Sequence, residues 1–131
     1  METYSWYQTL AKPSWAPPAE LFGPVWTALY ILIAISFGFV TYLYLTKKLP
    51  FKVFLPFILN LIFNIAFSPL EFGLQSLILG SIDIVLVLTT LIWSLVTVFR
   101  YAKWVTFINI PYLLWVSFAT ILQFAILLAN Q

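Results

Sequence analysis

Four apolar stretches, Phe22 to Leu45, Phe51 to Ser68, Gly73 to Phe99 and Trp104 to Ala129, fill most of this 131-residue chain and leave only short polar breaks between them. Each is near or above the roughly 18 to 20 residues that cross a hydrocarbon core of about 30 Å. In lipid the backbone must satisfy its own hydrogen bonds, which makes such stretches helices. The composition agrees, since 8% of the residues are charged and 63% hydrophobic, where a soluble domain carries roughly a quarter charged. The expected fold is an all-α integral membrane protein: a four-span helical bundle forming a single transmembrane domain over residues 1–131.

Residues 1–21 do not continue the pattern. Glu2, Lys12, Glu20 and three prolines interrupt any apolar core, so this segment is neither a span nor a signal peptide. It reads as a surface loop, with Trp6, Tyr7 and Trp15 suited to the headgroup region. Basic residues then set the orientation. Lys47, Lys48 and Lys52 follow the first span and Arg100 and Lys103 the third, while the opposite side holds only Lys12. The Lys-rich loops are therefore expected in the cytoplasm and both termini outside. Such scattered charges do not make a nucleic-acid surface.

The chain has no cysteine and no histidine. Disulfides, thiolate metal sites and Cys nucleophiles are excluded, and so are the commonest general base and haem ligand. No metal site and no pairing of nucleophile with base can be assembled, so no catalytic residues are expected.

Polar residues inside the spans carry more information. In "ILNLIFNIAFSP" (58–69), Asn60, Asn64 and Ser68 recur every four residues and share one helix face. In the third span Ser76, Asp83, Thr90 and Thr97 recur every seven, with Gly80, Val87 and Ser94 between them. Small and polar stripes let membrane helices pack closely and hydrogen-bond. Asp83 stands apart as a carboxylate deep in a span, which must be paired, neutralised or wetted. It is either a proton-bearing helix-packing residue or a functional proton site. Pro24 suits a helix start, whereas Pro56 and Pro111 fall inside spans and should bend them, by packing or to make room for a cavity. Phe22, Trp26 and Tyr30 lie four apart, and Tyr112, Trp115 and Ala119 share a face of the last span.

Four segments, in order, resemble the TspO/MBR family of tryptophan-rich sensory and translocator proteins. They are "WYQTLAKPSWAPP" with "FGPVWTALY", then "LNLIFNIAFSPLEFG", then "PYLLWVSFAT", and the likeness runs from Trp6 to Asn130. The resemblance implies helices 2–5 of a five-helix fold, the family's first helix being absent from this sequence. It also implies a pocket for tetrapyrroles such as protoporphyrin or haem, capped by the loop Trp6 to Leu21. Carried over by motif, the ligand-binding residues are Tyr7, Pro17, Trp26, Asn60, Asn64, Trp115 and Ala119. Flat aromatic ligands want indole faces and a few amides at their polar edges.

The implied function is a membrane sensor or regulator that binds a porphyrin-type molecule as ligand, with no resident cofactor required. Any activity would be light-dependent porphyrin degradation, with Trp26 or Trp115 as redox neighbours. The cholesterol motif of mitochondrial members is not matched, since Phe124 and Leu128 stand in place of its Tyr and Arg. A bacterial or archaeal cytoplasmic membrane is therefore expected. Two other readings stay open: a small proton-coupled transporter using Asp83, and a structural partner of another membrane protein. Small-residue pairs such as Ala34 with Gly38 and Ser76 with Gly80 also allow a homodimer.

Overall fold

The computed structural model describes residues 6–130, so Glu2 and the rest of 1–5 lie outside the description. Among the described residues the regular elements are all helical: a 3-10 turn (Ala19–Leu21) leads into α1 (Phe22–Leu45), followed by α2 (Phe51–Ser68), a π-helical turn (Pro69–Gly73), α3 (Leu77–Val98), α4 (Lys103–Ile108) and α5 (Ile110–Ala129). Four segments, Phe22–Leu45, Phe51–Gly73, Leu77–Val98 and Ile110–Ala129, are long and apolar enough to cross a membrane. The protein is an integral membrane helical bundle.

Each boundary has a local cause. α1 ends in a Schellman motif: Lys47 takes φ 62°, its N–H donates to Tyr44 O at 3.0 Å, and the Lys48 N–H donates to Leu43 O at 2.8 Å. Pro50 then caps α2. At the far end of α2, Pro69 has no N–H to give, and the helix widens rather than stopping. Leu74 N–H reaches Pro69 O at 2.9 Å across the π turn. The second span therefore runs to Gly73, five residues past its expected end at Ser68. α3 opens where Ser76 Oγ accepts from Leu79 N–H at 3.1 Å.

The expected fourth span is interrupted. Asn109 ends α4 and precedes α5, and Pro111 lies in the first turn of α5. Proline is tolerated there because the first-turn N–H groups have no intrahelical partner, so Pro111 starts a helix where a mid-span kink was expected. The break is held by Asn109 Nδ2, which donates to Ser36 Oγ of α1 at 2.9 Å and to Val105 O at 2.8 Å.

α3 is the central helix, packed most extensively against α2 and then α5. Its inward face carries Gly80, Asp83, Val87, Thr90 and Ser94, all buried. Most hydroxyls there are satisfied within the helix: Ser81 donates to Leu77 O at 2.6 Å, Thr90 to Leu86 O at 2.8 Å and Ser94 to Thr90 O at 2.7 Å. That part of the stripe is close packing. The main core joins α1, α2 and α3 to α4 through residues such as Phe37, Phe57, Leu91 and Val105. A smaller cluster of Tyr7, Leu122 and Ile126 lies beneath the N-terminal loop. Large exposed side chains such as Ile31, Ile65, Ile82, Val96 and Leu114 form the outer surface expected of a bundle solvated by lipid.

Candidate ligand-binding cavity

Near the smaller core, under the N-terminal loop, lies a cavity of about 230 Å³. α1 supplies Phe22, Trp26 and Tyr30, the stripe spaced four apart in the sequence, and α5 supplies Trp115, Phe118, Ala119 and Gln123. α2 and its π turn add Asn64, Ser68 and Glu71, α3 adds Ile84 and Val87, and Tyr7 comes from the loop. The rings meet edge to face: Tyr7 with Phe22 at 5.7 Å, Phe22 with Trp115 at 6.0 Å. Trp26 and Tyr30 lie tilted against each other at 5.6 Å. Such contacts hold aromatic walls in fixed orientations.

Tyr7 points inward instead of into the headgroups; it is 4% exposed. Lys12 holds its segment by donating to Tyr7 O and Leu10 O at 3.1 Å each. Burial first, and the Glu71 carboxylate second, push the Tyr7 phenol up to about 12. It therefore stays a neutral donor, and its hydroxyl has no partner. Trp115 Nε1 is likewise buried without a partner. Two unused donors in one cavity wall call for an explanation, since buried polar groups are nearly always paired.

From Tyr30 a hydrogen-bonded chain runs across the bundle. Tyr30 OH donates to Asn64 Oδ1 at 2.8 Å, Asn64 Nδ2 to Tyr112 OH at 2.7 Å, and Tyr112 OH to Asn60 Oδ1 at 2.9 Å. Asn60 Nδ2 closes it on α3, donating to Val87 O at 3.0 Å and Thr90 Oγ1 at 3.2 Å. The Asn stripe thus does two jobs. Asn64 lines the cavity, while Asn60 is fully buried and ties α2, α3 and α5 together.

Of the residues singled out in the sequence, Tyr7, Trp26, Asn64, Trp115 and Ala119 line this cavity, and Pro17 and Asn60 do not. Asp83 is also absent from its wall. Asp83 is 3% exposed, and its Oδ2 has no hydrogen-bond partner. Among the described residues no acidic cluster could hold a metal ion.

Sequence reasoning missed Glu71 and Gln123. Gln123 Nε2 donates to Glu71 Oε1 at 2.5 Å, and to Leu77 O and Ser81 Oγ at 3.2 Å each. The signal was present: Glu71 lies seven residues after Asn64, on the same face. Ending the span at Ser68 hid it, because the π turn over Pro69–Gly73 carries the helix onward.

Comparison with known proteins gives a consistent match. The profile of the TspO/MBR family matches residues 1–128. The tryptophan-rich protein TspO of Chlorobaculum tepidum is 39% identical over 127 residues, covering 96% of this chain and 80% of that protein. Its counterpart in Bacillus cereus is 37% identical over 126 residues, 96% of this chain and 81% of the relative. The human translocator protein is 31% identical over 130 residues, 95% of this chain and 75% of its own length.

Proposed function

Because the chain belongs to the TspO/MBR family, we propose that it is a membrane sensor or regulator that binds a tetrapyrrole of the protoporphyrin or haem type beneath its N-terminal loop. One observation carries the reading: a cavity walled by Trp26, Trp115 and Phe22 whose wall also holds two unpartnered donors, Tyr7 OH and Trp115 Nε1. Flat π faces match a macrocycle, and the donors suit its polar edge. A cavity of about 230 Å³ lies below the usual range of roughly 300 to 1,000 Å³ for ligand pockets. Part of the macrocycle fills it, and the loop yields to admit the rest.

The test is titration of the detergent-solubilised protein with protoporphyrin, followed by tryptophan fluorescence, with Trp26→Phe, Trp115→Phe and Asn64→Ala alongside. Saturable quenching at micromolar ligand, weakened about tenfold by Asn64→Ala and by Trp115→Phe, is expected. A folded protein with no saturable quenching overturns the proposal.

A further inference from the structure

The cavity contains a carboxylate whose hydrogen bonding is incomplete. Glu71 is 2% exposed. Its Oε1 receives Gln123 Nε2, but that amide has two hydrogens and three acceptors within reach, so it has nothing left for the second oxygen. Glu71 Oε2 accepts no hydrogen bond from any described residue, and no lysine or arginine lines the cavity. Lys12, in the overlying loop, is occupied by the carbonyls of Tyr7, Gln8 and Leu10.

Burial disfavours a lone charge there, and two features of the site offset part of that cost. Glu71 packs on Gly80, where a Cβ would collide with the carboxyl group. Gly80 lies in the first turn of α3, the end of a 22-residue helix that favours an anion. The rings of Tyr7, Phe22 and Phe72 cluster beside it, with Tyr7 and Phe72 centroids 6.1 Å apart. Aromatic faces next to an unpaired carboxylate are the usual surroundings of an organic cation.

We propose that Glu71 makes this cavity select ligands by charge, favouring a flat aromatic molecule that bears an ammonium or other protonated nitrogen over its neutral or acidic counterpart. The positive group meets Glu71 Oε2 at the π turn while the ring lies against the aromatic wall that Phe22 and Trp115 form together. The inference rests on the cavity being a ligand site, not on the ligand being a tetrapyrrole. It also implies that an acidic macrocycle binds only with its carboxylates turned away from Glu71.

Three probes of equal size separate charge from shape: 2-(1-naphthyl)ethylamine, protonated at pH 7, 2-(1-naphthyl)ethanol and 1-naphthylacetate. Calorimetric titration of the full protein in neutral detergent should rank the ammonium about tenfold or more above the alcohol, with the acetate weakest. Glu71→Gln, which keeps an acceptor for Gln123, should bring the ammonium within about threefold of the alcohol and leave the alcohol unchanged. Ser68→Lys, which adds a cation to the cavity wall and keeps Glu71, should favour the acetate. Equal affinity for all three probes, a preference that survives Glu71→Gln, or no binding of any probe overturns the inference. Protoporphyrin titration of the same samples keeps the two proposals apart. Quenching without charge preference leaves the tetrapyrrole reading standing alone, and charge preference without quenching leaves this one standing alone.

Discussion

Tyr112 holds two amides at once, accepting from Asn64 and donating to Asn60. It is 0% exposed, so Tyr112→Phe strands both partners away from water. A loss of about 1–2 kcal/mol in a detergent unfolding titration is expected, since two bonds are lost and each hydrogen bond between membrane helices contributes about 0.6 kcal/mol on average in double-mutant cycles and up to about 2 in model peptides. Gly80 is constrained by space and not by backbone angle. A methyl group there meets the Glu71 side chain at its Cβ, 3.1 Å away, as well as at its carboxyl. Gly80→Ala should cost about 1–3 kcal/mol of stability and perturb the naphthylamine affinity in the same protein, because the displaced group is the carboxylate itself. Gly38, with open space around its Cβ position, is the control and should tolerate alanine.

At the level of elements, the left-handed residue that closes α1 is Lys47, where glycine is the usual occupant. Lys47→Gly should raise stability by about 0.5–1 kcal/mol in the same titration. The capping loop is latched at its middle: Ala11 N–H donates to Asn130 Oδ1 at 3.0 Å and Asn130 Nδ2 returns a bond to Ala11 O at 2.9 Å. Asn130→Ala should speed both association and dissociation of protoporphyrin in stopped-flow, with the equilibrium constant changing much less. Hydropathy made α1 legible in the sequence, because polar breaks bound it cleanly. It could not show the π turn at Pro69 or the break at Asn109. Both are made by hydrogen bonds that a proline or an amide reroutes, with no change in apolar character. For the same reason Asn64, Trp26 and Trp115 are readable as cavity residues from the family motifs, while Glu71 falls in the break between two expected spans. Asn60 shared a motif and a face with Asn64, and only its depth in the bundle separates their roles.

Across the molecule, basic residues gather at the end away from the cavity, in the turns after α1 and α3. If charge sets the orientation as expected, that end lies in the cytoplasm and the cavity opens on the other face. The chain has no cysteine, so single replacements give a clean readout. Lys48→Cys should react with an impermeant maleimide only after cells are opened, and Ser14→Cys should react in intact cells; the reverse pattern inverts the topology. The Ala11–Asn130 latch spans 119 positions of sequence. During synthesis, the loop emerges before the four membrane-length helices and its partner Asn130 only after them. The cavity therefore spends the whole of biogenesis without its fastening, and a ligand present at that stage meets an open door that the finished protein keeps on the latch.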